Sequence, residues 1–186
     1  MTIRQARKDD RKEIAILLNN ALHDIAVKLS GGRTQEEVLE GLEELFIQEG
    51  NRLSYEHTIV KEINGRIVGL IVTYHGKDSN KVDRFIIERL RKLKNDPSIT
   101  LEKEAQEDEY YIDTLSVSPL FFRKGIGSSL IREAEQRAKQ LGHNKIALLA
   151  EETNERAYSL YKKLNYTVDS TVYLLGAPYA HFVKYL

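Results

Sequence analysis

The chain has 186 residues, 41% of them hydrophobic and 30% charged, and its 28 Lys and Arg residues balance 28 Asp and Glu residues. These values are typical of a single soluble globular domain over residues 1–186, and they exclude disordered, collagen-like and coiled-coil classes. A formal net charge of zero argues against bulk electrostatic capture of nucleic acid. Because cysteine is absent, disulfides, thiolate metal sites and a cysteine nucleophile are excluded as well.

No apolar stretch reaches the roughly 18 residues that a membrane span requires, and the N-terminus has no signal-peptide pattern. We therefore expect no membrane association. The expected location is cytoplasmic, and the lack of cysteine is compatible with a reducing compartment.

The first half of the chain predicts a strand, two helices and a hairpin. Residues 2–6 suit a short strand, and apolar residues at helical spacing between 14 and 25 predict one amphipathic helix. Thr34 and Glu37 form a capping-box pattern that begins a second helix. Two segments rich in β-forming residues then flank Asn64-Gly65, a pair that adopts the positive φ angles of a tight hairpin turn.

The segment 77–105 is too long for an ordinary connection between strands, and its apolar residues recur at helical spacing. We interpret them as a helical insertion between the third and fourth strands, built on a basic amphipathic helix. An acidic stretch over 102–109 follows, which we expect to be a solvated loop. The apolar face predicted for the helix comprises Val82, Phe85, Ile86, Leu90 and Leu93.

The second half alternates strands and helices: a strand over 109–117, a helix to about 141, a strand over 145–150, a helix to 164, and two final strands around Gly176-Ala177-Pro178. The crossover within 109–150 predicts one parallel strand pair. The predicted fold class is therefore mixed α/β (α+β), with a mostly antiparallel central sheet flanked by helices.

The strongest functional signal is the strand, loop and helix over 111–131. Gly125 and Gly127 let the backbone approach a ligand, and they begin a helix whose free N–H groups attract anions. Arg123 and Lys124 add two positive charges there. The combination indicates a diphosphate-binding loop, although a bare Gly-x-Gly is also compatible with a simple turn. Neither the dinucleotide fingerprint nor the Walker lysine motif fits this segment.

This segment resembles the signature of the GCN5-related N-acetyltransferase (GNAT) superfamily, which is Leu-x-Val-x-Pro followed by Gln/Arg-x-x-Gly-x-Gly/Ala. Residues 115–119, Leu-Ser-Val-Ser-Pro, match the strand part, and residues 122–127, Phe-Arg-Lys-Gly-Ile-Gly, match the loop except at Phe122. Residues 154–166 resemble the family's Asn-x-x-Ala-x-x-Leu-Tyr-x-x-x-Gly-Phe, with Asn165 in place of glycine. Asn is the next best residue in a left-handed helix C-cap.

The resemblance implies a GNAT-like acyl-CoA N-acyltransferase fold and an acetyl-CoA-dependent transfer of an acetyl group to a primary amine by direct attack. Acetyl-CoA is the implied cosubstrate, with no metal, and it is expected where the strands 111–117 and 145–150 splay apart. The cofactor-binding residues that the resemblance implies are Leu115, Ser116, Val117, Phe122, Arg123, Lys124, Gly125, Ile126, Gly127, Ser128 and Asn154.

Two catalytic residues follow from the same resemblance. Tyr161 matches the family tyrosine that protonates the departing thiolate, and the N–H near Val117 is expected to stabilise negative charge as in an oxyanion hole. Two simpler interpretations stay open: Tyr161 lies on an apolar helix face and suits a core position, and Asn154 suits a plain helix cap.

The general base and the acceptor are left open by the sequence. By a period of two, Tyr111 and Asp113 share a strand face with Leu115 and Val117. The acceptor side is expected from residues 22–35, 77–105 and 173–182, and the acidic stretch offers attraction for a cationic amine as an alternative to a solvated loop. Candidate bases, besides water chains, are Glu109, Tyr111, Asp113, Glu151 and Glu152, and candidate pocket tyrosines are Tyr55, Tyr74, Tyr110, Tyr173 and Tyr179.

Two other function classes compete with the transferase interpretation. One is a non-catalytic acyl-CoA-binding or regulatory module, against which Tyr161 and the intact Leu-x-Val pattern argue. The other is an interaction protein that docks through the basic helix at 81–94, for which a helix packed on the core is the preferred alternative. The C-terminal strands offer a surface for a homodimer.

Overall fold

A computed structural model describes residues 2–186 and contains a seven-stranded sheet with six α-helices around it. The strands are β1 (Thr2–Gln5), β2 (Thr58–Ile63), β3 (Arg66–His75), β4 (Tyr110–Val117), β5 (Lys145–Glu151), β6 (Thr167–Leu174) and β7 (Ala177–Tyr185). The helices are α1 (Arg11–Leu22), α2 (Asp24–Ser30), α3 (Gln35–Ile47), α4 (Ser79–Lys94), α5 (Ile126–Gln140) and α6 (Glu155–Lys163).

The sheet has the strand order β1-β2-β3-β4-β5-β7-β6. β4 and β5 are parallel, joined by the crossover helix α5, and every other neighbouring pair is antiparallel. This topology confirms the predicted fold class. None of the helices within residues 2–186 combines the length and the apolar character needed to cross a bilayer.

The hydrophobic core lies on both faces of the sheet. On one face, Leu70 and Val72 of β3 join the buried side of α1, α2, α3 and α4. On the other, Ile71 of β3 and Ile112 of β4 join the buried side of α5 and α6. Because residues alternate between faces along a strand, β3 contributes to both cores at once.

Three predicted chain reversals are present in the structure. Asn64 and Gly65 have φ angles of 51° and 75°, as a type I′ turn requires. Asn165 has a φ of 65° after α6, so it takes the left-handed position that glycine usually fills. The last turn differs from its predicted position, since Leu175 and Gly176 form it and the following Ala-Pro pair begins β7.

Two helix predictions need correction. The single helix expected between 14 and 25 is broken at His23, whose φ of 46° and ψ of −117° end α1 and begin α2. In α4 the buried face is narrower than predicted: Val82, Ile86 and Leu90 are buried, whereas Phe85 and Leu93 are 36% and 58% exposed. Ser79 and Asp83 are buried as well, and the exposed side of α4 is mostly basic.

A β-bulge in β4 corrects the predicted strand face. Val72 pairs with Thr114 and Thr73 pairs with Ile112, so Asp113 is an extra residue between them. A bulge of this kind reverses the alternation of side chains beyond it. Tyr111 therefore lies on the opposite face of the sheet from the two apolar residues of the Leu-x-Val pattern, contrary to the period-two prediction.

Candidate active site

A cleft opens in the middle of the sheet because the two parallel strands pair over only part of their length. The pairing of β4 with β5 ends at Ile112 and Leu148. Beyond that point β4 continues along β3, and β5 continues along β7. The space between them is lined by both strands, the α1–α2 break and α6, and it measures about 740 Å³ including its open mouth.

The backbone of β4 presents polar groups to this cleft. The N–H of Ser118 donates to the carbonyl of Val68 in β3 over 2.8 Å. Because successive residues of a strand direct their N–H and C=O groups to opposite edges, Leu115 and Val117 direct theirs away from β3, to the edge from which β5 has diverged, and Leu115 lines the cleft. Ser116, by the same alternation, directs its backbone to β3, and its side chain is buried on the other face of the sheet.

The loop after β4 presents a run of free amides. Arg123 and Gly125 both have positive φ angles, 61° and 74°, and Gly125 caps the start of α5. Among residues 2–186, no backbone acceptor pairs with the six N–H groups from 123 to 128. Lys124 and its neighbours are exposed. Free amides at a helix N-terminus, with two cations beside them, form an anion-binding arrangement.

The two glycine positions of this loop favour a small residue for different structural reasons. Gly125 needs the positive φ angle, which costs other L-residues energy, although a Cβ there would meet nothing within 4 Å. Gly127 lies in α5, where a Cβ would meet Leu160 at 3.4 Å and two β4 side chains at 3.8 Å. Those are ordinary contacts, which fits the Gly/Ala choice in the motif.

Phe122, at which the sequence departs from the motif, makes a cation–π contact with an arginine of α6. The guanidinium carbon of Arg156, in the first turn of α6, lies 3.5 Å from the centre of the Phe122 ring. Arg156 therefore adds positive charge beside the loop where the motif has Gln or Arg. Sequence reasoning missed Arg156 because it falls on a variable position of the second motif.

Helix α6 brings Asn154 and Tyr161 to the cleft. The Oδ1 atom of Asn154 accepts a hydrogen bond from the N–H of Ala157 over 3.0 Å, which confirms the predicted cap. Asn154, Ala157 and Tyr161 all line the cleft. Tyr161 is 7% exposed, and its ring packs against Tyr166 and Phe182. Burial raises the pKa of Tyr161 to about 12. Tyr161 is thus both a core aromatic and a residue of the cleft.

The three segments predicted to shape the acceptor side all reach the cleft. The helix break contributes His23 and its neighbours, the insertion contributes Glu104, and the β6–β7 hairpin contributes Leu174 and Tyr179. Tyr179 is the one member of the five predicted pocket tyrosines that lines it; Tyr74 is buried in the sheet.

The candidate bases separate into two groups. Asp113, Glu151 and Tyr111 line the cleft, together with Glu104, which sequence reasoning had not singled out. Glu109 is fully buried beside His181 and does not line the cleft. The stretch 102–109 is therefore only partly a solvated loop, because Glu104, Ala105 and Glu109 point inward and the rest is exposed.

Arg52 forms a buried ion cluster at the cleft. Only 2% of its side chain is exposed, and its Nε donates to Oδ2 of Asp113 over 2.6 Å. Its Nη2 lies 2.7 Å from Oε1 of Glu104, and its Nη1 lies 3.5 Å from Oδ1 of Asp83. The Tyr111 hydroxyl donates to Oε2 of Glu104 over 3.0 Å. One cation thus faces three carboxylates.

The excess of carboxylates over cations in this cluster, together with burial, shifts the pKa values of its members. Burial raises the pKa of both Glu104 and Asp83, against the opposing attraction of Arg52. Burial opposes the charge of Arg52, but Asp113 and Glu104 outweigh it and hold its pKa above the usual range. Arg52 therefore stays charged, while the carboxylates are left under-compensated.

Comparison with known proteins agrees with this geometry. The sequence model of the Acetyltransferase (GNAT) family matches residues 21–166. The chain belongs to the GNAT family. The matched span of this GNAT chain runs from the helix break to Tyr166 and so includes the β4–β5 cleft, the loop and α6. No curated protein matches the sequence significantly.

Solved structures of acetyltransferases share the GNAT fold over the whole chain. An N-acetyltransferase from Staphylococcus aureus Mu50 is 29% identical, with a TM-score of 0.85, covering 99% of this chain and 100% of its own. A second acetyltransferase is 28% identical, with a TM-score of 0.82, covering 100% and 99%. The PaiA N-acetyltransferase of Thermoplasma acidophilum, solved with coenzyme A, has a TM-score of 0.60 at 16% identity, covering 100% and 98%. At that last identity the likeness is one of fold alone.

Proposed function

We propose that this GNAT chain is an acetyl-CoA-dependent N-acetyltransferase that moves an acetyl group to a primary amine within a ternary complex. The observation that carries the proposal is the split between β4 and β5. It leaves the backbone groups of Leu115 and Val117 without a partner in β5, beside a cleft that Leu115 and Tyr161 both line. A related fold that binds coenzyme A, in the Thermoplasma acidophilum protein, supports the choice of cosubstrate.

The chain offers a matching partner for each part of acetyl-CoA. The free amides from 123 to 128 suit the pyrophosphate, with Arg123, Lys124 and Arg156 supplying positive charge. The backbone groups of Leu115 and Val117 suit the amides of the pantetheine arm, which extends like an added strand along β4. Ser116 has no such role in this proposal, since its backbone is directed to β3.

Acetyl-CoA supplies an activated acetyl group, and the residues of the chain act on the charges that its transfer creates. The N–H of Val117 is directed to the carbonyl oxygen and stabilises the negative charge that develops there. As the new C–N bond forms and the C–S bond breaks, Tyr161 donates its proton to the sulfur and then regains one from solvent, which receives the proton that the amine releases. Its pKa of about 12 keeps Tyr161 protonated at neutral pH, as an acid must be.

The proton released by the attacking amine needs an acceptor at the cleft. Glu104 and Glu151 line it, and water that is hydrogen-bonded to these carboxylates carries the proton to solvent, whereas the Asp113 carboxylate is fully buried against Arg52. Such a water path needs no single dedicated base.

Release of free CoA thiol tests the proposal directly. Because the chain has no cysteine, a thiol-reactive dye reports only the product. We expect amine-dependent thiol release with acetyl-CoA, and a strong loss of kcat with retained acetyl-CoA binding in Tyr161→Phe. Acetyl-CoA binding without thiol release for any amine would instead identify a non-catalytic acyl-CoA-binding module.

A further inference from the structure

The chain bends sharply at His23, the residue that separates α1 from α2. Its φ of 46° and ψ of −117° lie in a region that glycine adopts readily and other L-residues rarely do. Hydrogen bonds on both sides hold it there, since its N–H donates to Asn19 over 3.1 Å and its carbonyl accepts from the N–H of Ala26 over 3.0 Å. A histidine thus occupies a position where the backbone favours glycine. Backbone strain of this kind is concentrated at functional sites.

The bend brings His23 to the cleft. His23 lines the cleft between its neighbours Leu22 and Ile25, and it is exposed to solvent. Asp24, at the start of α2, is the adjoining charge on the same segment. The titratable residues that line the cleft from the other elements are Glu104 of the insertion, Tyr111 and Asp113 of β4, Glu151 of β5, Tyr161 of α6 and Tyr179 of β7.

The β4 and insertion groups of this lining already have partners. The Asp113 carboxylate is fully buried, and its two oxygens accept hydrogen bonds from Arg52 and from the Thr114 hydroxyl. One oxygen of Glu104 lies 2.7 Å from Nη2 of Arg52, and the other accepts from the Tyr111 hydroxyl over 3.0 Å. These carboxylates are therefore held by the protein and poorly placed to exchange a proton with an acceptor.

Two titratable side chains of the lining are left without such contacts. The Tyr179 hydroxyl donates to Oε1 of Glu151 over 3.0 Å, which engages that pair. Within residues 2–186, the side chains of His23 and Tyr161 have no hydrogen-bonding partner. Because Tyr161 is the acid in the proposed function, His23 is the unengaged group that remains for the second proton of the reaction. Imidazole is the side chain best suited to exchange a proton near neutral pH.

We propose that His23 is a proton-relay residue that takes up, through water, the proton released by the acceptor amine. This inference rests on the proposed function and names a residue that its water path uses. As the C–N bond forms, the amine nitrogen gives its proton to water, and water gives a proton to the unprotonated ring nitrogen of neutral His23. The imidazolium then releases that proton to solvent, which returns His23 to its neutral form. Tyr161 and His23 thus handle the two protons of the reaction from separate helical segments.

The test follows amine-dependent thiol release from acetyl-CoA between pH 6 and pH 10 in wild type and in His23→Gln, which stays polar but cannot take up a proton. The probe amines are ethanolamine, n-pentylamine and glycinamide, and the one that reacts fastest with the wild type is used throughout. At pH 7 we expect His23→Gln to lose roughly 100-fold in kcat/KM, the lower end of what a positioned proton-transfer group supplies. The loss should shrink towards pH 10, because more of the amine is then deprotonated in solution.

His143→Gln is the matched control, because His143 lies in the turn before β5, outside the cleft lining. It is expected to keep the wild-type pH profile. Acetyl-CoA binding, measured by calorimetry, is expected to be unchanged in His23→Gln. Thermal unfolding of His23→Gly and His23→Ala tests the strain, and we expect the higher Tm for His23→Gly, since glycine takes this φ and ψ freely.

The outcomes separate this inference from the proposed function. A loss by the same factor at every pH would show a purely structural role for His23 and overturn the inference. Full activity of His23→Gln at pH 7, or a higher Tm for His23→Ala than for His23→Gly, would overturn it as well. Thiol release by the wild type with none of the amines would instead contradict the proposed function, and this inference with it.

Discussion

The Nε atom of Arg52 donates to Oδ2 of Asp113 over 2.6 Å, and this bond joins the segment after α3 to the bulge of β4. The two residues are 61 positions apart in the chain. The bulge turns Asp113 out of the regular ladder, and Arg52 fixes where its carboxylate lies. Arg52 therefore stabilises the bulge of β4 next to the cleft.

Removal of Arg52 is expected to be strongly destabilising. In Arg52→Met, three carboxylates lose their cation, which we expect to cost about 3–5 kcal/mol of unfolding free energy at neutral pH. The loss should shrink as the pH falls, because protonation removes the uncompensated charges. Denaturant unfolding at pH 5 and pH 7 measures both effects.

Arg11→Met is the control for that experiment. Arg11 pairs with Glu43 over 3.3 Å on an exposed surface, so its loss should cost about 0–1 kcal/mol. An Arg52 variant no less stable than this control would contradict the account of the buried cluster.

The two loop glycines should respond differently to the same substitution. Gly125→Ala forces a Cβ into the left-handed region and is expected to cost about 1–2 kcal/mol. Gly127→Ala adds a Cβ at ordinary contact distance within a helix, and we expect it to be neutral or slightly stabilising. Thermal unfolding ranks the two, and the reverse ranking would show that the loop has another conformation.

The high pKa of Tyr161 sets the alkaline side of the pH profile. A raised pKa keeps the phenol protonated until the pH approaches about 12. We therefore expect kcat/KM to rise with pH as the acceptor amine deprotonates, with no fall up to pH 10. A fall between pH 8 and pH 10 in the wild type that is missing in Tyr161→Phe would contradict this assignment.

His181 should make stability depend on pH near the C-terminal strands. Burial lowers its pKa, but hydrogen bonds to Glu109 and Asp169 outweigh burial, so the folded-state pKa lies above the unfolded value. A raised histidine pKa contributes stability that is complete below about pH 6.5 and is lost as the pH rises through the folded-state pKa.

Thermal unfolding of wild type and His181→Gln from pH 5 to pH 9 follows that contribution. We expect the difference between them to be largest at acidic pH and to shrink as the pH rises. A difference that grows with pH would mean that His181 stabilises the fold in its neutral form.

Much of the site was predictable because its residues are close together in sequence. The loop glycines, the start of α5, the cap at Asn154 and the position of Tyr161 all follow from local patterns of helix and turn formation. The hairpin at Asn64-Gly65 and the parallel β4–β5 pair follow from turn chemistry and crossover rules.

What the sequence could not provide depends on contacts between distant segments. The bulge at Asp113 leaves no mark in the residue pattern, and it reverses which side chains of β4 share a face. Glu104 belongs to an acidic stretch whose sequence resembles a solvated loop. In the structure, contacts with Arg52 and Tyr111 hold its carboxylate in the interior. Phe122 breaks the motif, and only the structure pairs it with Arg156.

The central claim is that acetyl-CoA binds in the cleft between β4 and β5, and thermal unfolding with and without acetyl-CoA tests it most directly. A ligand at 100 times its dissociation constant adds about 2.7 kcal/mol to the unfolding free energy. For a chain of this size we expect the Tm to rise by roughly 5–11 °C, and by less in a variant with Arg123→Ala and Lys124→Ala. No rise of the wild-type Tm at millimolar acetyl-CoA would contradict the account.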